Sequence, residues 1–219
     1  MAALSGKVAR IRYTAAGATN STNEAATLST DTVTLTIGAT AKRHWDYAST
    51  LPRVYSSTST GTALAGSLYD VNHTQGKVVF RSAMSSTKTY KVDVAYLAVS
   101  YMTGGRDWQA DVETDMLDVT AFSTASTNAA WRKFRPGLQK WSAKIGRLVS
   151  TGSTGPLGYD RLAAASSNLI VELVVSGTGQ EKYEGRCRVA ADQIQTDIDG
   201  LVTEDLELEG TGPLYFSTL

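Results

Sequence analysis

One cysteine, two histidines and four prolines are all that this chain of 219 residues holds of those three types. Cys187 alone cannot form an intrachain disulfide, so the fold rests on burial and hydrogen bonding, and the expected compartment of synthesis is a reducing cytoplasm. His44 and His73 are too few for a histidine-based metal centre, which needs three or four convergent ligands at recognisable spacing. Pairing with Asp46 or Asp70 would make either a metal ligand or a general base; the simpler expectation is two surface histidines. No apolar run approaches the roughly 18 residues of a membrane span, and no signal-peptide core is present, so neither membrane insertion nor secretory cleavage is expected. An excess of one charge is missing too. Twenty-one Lys and Arg face 21 Asp and Glu, unlike a free nucleic-acid binder, and near-zero net charge lowers the barrier to self-association.

Small and β-compatible residues fill the space, with many turn formers, and they point to a mainly β protein. Lys7–Thr14 alternates as a first strand or arm, and the Ala/Thr/Asn/Ser-rich residues 14–30 read as a loop. Asp31–Ile37 is a strand with Val33, Leu35 and Ile37 on one face. Short strands follow around Arg53–Tyr55 and Ser67–Val71, and Lys77–Arg81 is expected to pair antiparallel with Tyr90–Leu97. Trp108–Val119 and Trp141–Val149 alternate as strands, separated by a loop at 120–130 and a mixed segment Trp131–Leu138. Leu157–Ser167 has the spacing and alanine content of a short helix. Leu169–Val175 reads as a buried strand, Tyr183–Ala190 and Val202–Glu209 as strands, and residues 191–201 as a continuation or bend. The short connections suit antiparallel pairing. The expected architecture is an antiparallel β-sandwich or barrel-forming fold with one short helix. Its divisions are an arm and loop at 1–29, a β-rich accessory module at 30–97 and a core at 98–219.

Catalytic signatures are scarce. Cys187 alternates in phase with Tyr183 and Val189 and reads as core, not nucleophile. Gly152–Gly158 lacks the P-loop Gly-Lys-Ser/Thr and reads as a plain loop. Carboxylates at Asp111, Glu113 and Asp115 and at Glu204, Asp205, Glu207 and Glu209 could serve a glycosidase, but alternate acids on one strand usually form a solvated face. Trp108, Trp131 and Trp141 could form a sugar-stacking platform; burial in a core or a subunit contact is the better account. No catalytic residue, metal ligand or cofactor is assigned.

The most informative stretch runs from Trp108 to Leu148. Trp108, Ala110, Val112, Thr114 and Met116 fall on one side of a strand and Gln109, Asp111, Glu113 and Asp115 on the other, the period of two of a half-buried strand. Its apolar side is expected to pack on the core. Downstream, Arg132, Lys133, Arg135, Lys140, Lys144 and Arg147 follow with no acid between them. Charge sorted this way suits a subunit that meets copies of itself.

The pattern W-x-x-D-V-E…D-V-T-x-F…W-R-K-F-x-P-G-L-x-x-W-S resembles the major tail protein, or tail tube protein, of long-tailed bacteriophages. So do the closing EGTGPLYFS (Glu209–Ser217) and the opening LSGKVARIRY (Leu4–Tyr13). The resemblance covers 98–219 well and the N-terminal third more loosely, and the order and spacing of all its parts carry it. It implies a non-enzymatic virion subunit, made in the host cytoplasm, that polymerises as stacked rings, usually hexameric, into the tube conducting DNA. Its implied partners are further copies, a tape measure protein, a tail terminator and a distal tail protein, with DNA passing through the lumen without sequence-specific binding. On this basis Asp111, Glu113, Asp115, Glu207 and Glu209 are expected to face the lumen, and Arg132, Lys133, Arg135 and Lys140 to meet neighbouring subunits. The alternative of another class is a carbohydrate- or cell-surface-binding β-sandwich module.

Overall fold

The computed structural model describes residues 10–56, 62–102, 104–119, 132–149, 169–175, 181–196 and 202–218. Among these residues eleven strands run β1 (Arg10–Leu28), β2 (Thr34–Ile37), β3 (Arg53–Ser56), β4 (Tyr69–Asn72), β5 (Lys77–Phe80), β6 (Tyr90–Tyr101), β7 (Gly105–Asp118), β8 (Phe134–Leu148), β9 (Ile170–Val174), β10 (Lys182–Thr196) and β11 (Val202–Ser217). Every pairing is antiparallel. The order is β4-β5-β2-β1-β9-β10-β11-β8-β7, with β6 on β1 and β3 on β6. The mainly antiparallel β class expected from composition is the observed one, as an open sheet and not a closed barrel. Among the described residues the only helical turns are the 3-10 segments Thr40–Lys42 and Gly66–Leu68. The expected helix Leu157–Ser167, the loop 120–130 and the glycine-rich 152–158 lie outside the described residues.

Two elements depart from the sequence expectation. Most of 14–30 is not a loop: β1 runs on to Leu28, pairing with β6 from Arg12↔Tyr101 to Ala26↔Tyr90, with register shifts between Thr14 and Ala18 and between Ser21 and Glu24. Its small polar residues are largely exposed, so pairing and not burial makes them a strand, and no apolar period records it. The irregularities match Gly17 at φ 100° and Asn23 at φ 59°, left-handed conformations that glycine and asparagine tolerate best. The second departure is the partner of β5. It lies between β2 and β4, while β6 lies between β1 and β3. Both sets of strands send side chains into one cluster: Leu35, Ile37, Val78 and Phe80 meet Val54, Tyr90, Val92 and Val94 around Trp45.

A second cluster joins Ile11, Met102, Trp141, Ala143, Ile145, Leu169, Val171, Leu173, Cys187, Leu206 and Leu208. The buried β9 and the alternation of Trp141, Ala143 and Ile145 supply it as their patterns required. Trp141 fills a notch left by Gly185 and Gly210, where an added Cβ would lie under 3.0 Å from its indole. Its Nε1–H donates to the Gly212 carbonyl at 2.7 Å. Cys187 is fully buried here, and burial pushes its thiol up to about 12, which makes it core and not a nucleophile.

Candidate assembly surface

Adjacent strands β7, β8, β11 and β10 present one acid-rich outer face. In register across it stand Asp111, Ser142, Glu209 and Arg188; then Gln109, Lys144 and Glu207; then Asp107, Gly146, Asp205 and Gln193. Side chains alternate across a strand, so these rows share one side and Ala143, Ile145, Leu206 and Leu208 share the other. Lys140 pairs with Glu113 at 2.9 Å and Lys144 with Glu207 at 2.7 Å, each directly opposite its partner in the ladder. The carboxylates hold both lysines above their usual value, Glu113 first for Lys140 and Glu207 first for Lys144. Asp115 and Glu209 add to the field at Lys140, and Asp111 to that at Lys144. All five acids singled out in the sequence therefore gather around two lysines. Exposed pairs of this kind add little to stability; their effect is on surface charge, which stays negative.

The basic run does not form one surface. Lys140 and Lys144 lie on the acidic face, and Arg147 points inward onto Glu204, its cross-strand neighbour, with both buried. Burial raises the Glu204 carboxyl, the Arg147 guanidinium opposes this, and nearby Asp192 reinforces it. Lys140, Lys144 and Arg147 thus meet acids of their own chain, because β8 lies between β7 and β11. Arg132, Lys133 and Arg135 are exposed near the start of β8.

Among the described residues β8 pairs before Ser142 only with β7, since its register with β11 ends at Glu209↔Ser142. Val112–Asp118 and Phe134–Trp141 form a two-stranded ribbon whose β7 side is the sheet edge. The apolar side of β7 does not pack on the core along its length as expected. Trp108 and Ala110 reach the second cluster, but Val112 is 62 % exposed, with Met116 and Phe134 also exposed on that side, and Leu117 and Leu138 are exposed on the ribbon's other side. None of the described residues covers them. A lone ribbon is marginal in water, and a long apolar edge strand is a template for another chain.

The tryptophans offer no sugar platform among the described residues. Trp45 and Trp141 are buried and Trp108 is half-buried; Trp131 lies outside the described residues. The histidines differ from expectation. His44 is 3 % exposed, and neither it nor His73 pairs with Asp70, which holds Arg81 at 2.8 Å on the surface. His73, half-buried, packs beside Tyr47 at 5.0 Å in a pocket of about 210 Å³ between 45–74 and 170–215, and burial lowers its affinity for a proton.

His44 belongs to a buried ionic cluster that sequence reasoning missed. Its Nε2 is 2.8 Å from Glu172 Oε1, Arg12 Nε is 2.6 Å from Glu172 Oε2, and Lys182 contacts both Glu172 and Glu184. Gln75 donates to Glu184 at 3.2 Å. Only the charged letters inside otherwise apolar strands hinted at it: Glu172 in LIVELVV is the one such residue of β9. His44, Glu172 and Glu184 place ligand atoms within 4.8 Å of one another, yet a cation does not fit this set. The Lys182 ammonium bridges both carboxylates and Arg12 flanks one, so resident charges already balance them. Burial pushes Glu172 up, but hydrogen bonding and charge from His44, then Lys182, outweigh it and hold the carboxyl at about 2 against an ordinary 4.5. A depressed carboxyl stabilises the fold above its unfolded value and loses that contribution as pH falls through the folded one. Acid titration followed by tryptophan fluorescence is therefore expected to show cooperative loss of structure between about 4.5 and about 2, and E172Q to remove that part of the acid dependence while lowering stability at neutral pH.

No family model matches this chain, and no curated protein matches it. Among solved structures, it is similar to a chain from the "Virion of native gene transfer agent (GTA) particle", at 13% identity and TM-score 0.43, over 54% of this chain and 88% of that one. A chain from the "Tail of empty GTA particle computed with helical refinement, C6 symmetry" gives 14% identity and TM-score 0.43, over 55% and 87%.

Proposed function

We propose that this chain is a structural tail subunit of a phage or phage-like particle that polymerises as stacked, six-fold rings into a tail tube. The observation that carries it is the β7–β8 ribbon, apolar and uncovered on a free sheet edge. An edge strand joined to a different surface of the next copy makes a heterologous contact, which closes into rings when the rotation permits. In this reading residues 98–219 build the tube and 30–97 form an accessory module outside it, and the chain performs no catalysis. The particle's tape measure, terminator and distal tail proteins and further copies of this chain are its partners.

The acid-rich face of β7, β8, β11 and β10 then lines the lumen. DNA carries one negative charge per roughly 1.7 Å of axis, and each neutralised phosphate adds a salt-dependent binding term. A face where acids outnumber lysines holds DNA weakly and lets it slide. Purified protein examined by size-exclusion chromatography and negative-stain microscopy is expected to show rings or tubes; a compact monomer at every concentration would count against assembly. Changing Asp111, Glu113 and Glu209 together to Lys is expected to leave tubes intact while slowing DNA ejection, with the block relaxing as salt rises. Ejection at the unaltered rate would remove the lumen assignment and leave assembly standing.

A further inference from the structure

The partners of His44 restrict the number of protons on its ring. Nδ1 lies 2.5 Å from the backbone carbonyl of Thr74, and Nε2 lies 2.8 Å from Glu172 Oε1. A carbonyl oxygen only accepts, and an ionised carboxylate only accepts. A neutral imidazole has one N–H and one lone pair, so in either tautomer one of these contacts would set a lone pair against an oxygen in a site shut off from water. A proton on Glu172 instead would leave a neutral acid beside Lys182 and Arg12, which lie against its two oxygens and favour the ionised form. Both contacts close as hydrogen bonds only when both ring nitrogens are protonated. We propose that His44 is a buried imidazolium that clasps the 44–76 segment to strand β9, and that losing its second proton opens this clasp.

The position gives the clasp leverage. The backbone of His44 is held on one side, where Leu97 N–H of β6 donates to its carbonyl at 2.7 Å, and Trp45 N–H donates to the His73 carbonyl at 2.8 Å. The ring is held on the other, through Thr74 in the 73–76 turn and Glu172 in β9. It thereby ties side chains adjoining the Trp45 cluster to a strand of the Trp141 cluster. Arg12 comes from β1, Glu172 from β9, and Lys182 and Glu184 from β10. The 73–76 turn adds neutral Thr74 and Gln75, and its titratable His73 packs on Tyr47 instead. With His44 neutral these four charges cancel; with the second proton the cluster carries one net positive charge, sited on the group that touches Glu172. A buried hydrogen bond to a charged group outweighs a neutral one, and a ring flanked by two acceptors has no second arrangement that keeps both bonds.

Because the chain has only two histidines, the proton count can be read directly. In protein labelled with 15N histidine, H73Q leaves His44 as the sole imidazole signal. The expected result near neutral pH is two protonated ring nitrogens with slowly exchanging protons. A single protonated nitrogen beside one bare nitrogen would overturn the proposal, whether the missing proton sits on Glu172 or nowhere. Amide exchange of the unaltered chain, corrected for intrinsic base catalysis, tests the clasp itself. Raising the pH from about 6 to about 9, across the range where imidazoles titrate, is expected to reduce protection of Trp45 and Leu97 by about tenfold relative to Ile145 and Leu206. Equal protection of all four across that range would overturn the switch. H44Q, if it folds, is expected to abolish the pH dependence of Trp45 and Leu97; a dependence that survives it would assign the change to another group.

Discussion

Placing glutamate at Val112 and Met116 leaves a folded monomer that no longer assembles. Both side chains are largely in solvent, and exposed substitutions away from special features change stability by about 0.5 kcal/mol or less, so urea denaturation is expected to give nearly the unaltered midpoint. Assembly reads the same change differently. Burying a side chain of this size contributes about 1.5–3 kcal/mol, so losing two from each contact weakens association by roughly a hundredfold to ten-thousandfold, before the cost of burying the new charges. Repetition around a ring multiplies the loss. Sedimentation velocity beside negative-stain microscopy checks both halves. Rings or tubes formed by the double variant at the unaltered concentration would mean that the ribbon is not the subunit contact.

Trp141→Ala is expected to have the opposite profile, a large loss of fold stability. The indole is buried among Cys187, Leu208 and the two glycines, and removing such a ring costs about 3–5 kcal/mol. The Gly212 carbonyl also loses its donor. For a chain whose whole stability is about 5–15 kcal/mol, that is a substantial fraction. Gly210→Ala is expected to be severe for the complementary reason, since its Cβ would collide with a ring that has no room to retreat. Urea unfolding of both variants measures the effect. A loss below about 1 kcal/mol in either would show that the β10–β11 bend adapts without Trp141, and the notch would lose its place as a fixed point of the core.

Sequence and structure divide along what a period can record. Alternation in Trp141–Ile145 and Leu206–Leu208 and the unbroken apolar run at Ile170–Val174 determined strands and inward faces, because a side chain that leaves water leaves a repeat of two in the sequence. The acid set at Asp111, Glu113, Asp115, Glu207 and Glu209 was legible for the same reason. Its neighbours were not. That Lys140 and Lys144 enter the same face, and that Arg147 turns inward to Glu204, follows from β8 lying between β7 and β11, a pairing that local sequence does not specify. The second half of β1 reads as a loop in the sequence because its strand character comes from pairing with β6 and β2 and its exposed Thr, Asn and Ala carry no burial signal. The Val112–Met116 side shows the converse: the period announced a surface to be covered, and the described residues leave it bare. His44, Glu172, Lys182 and Glu184 are separated by up to 140 residues in sequence, so only the fold could bring them together. Burial then made that meeting consequential, since charges removed from water must find one another.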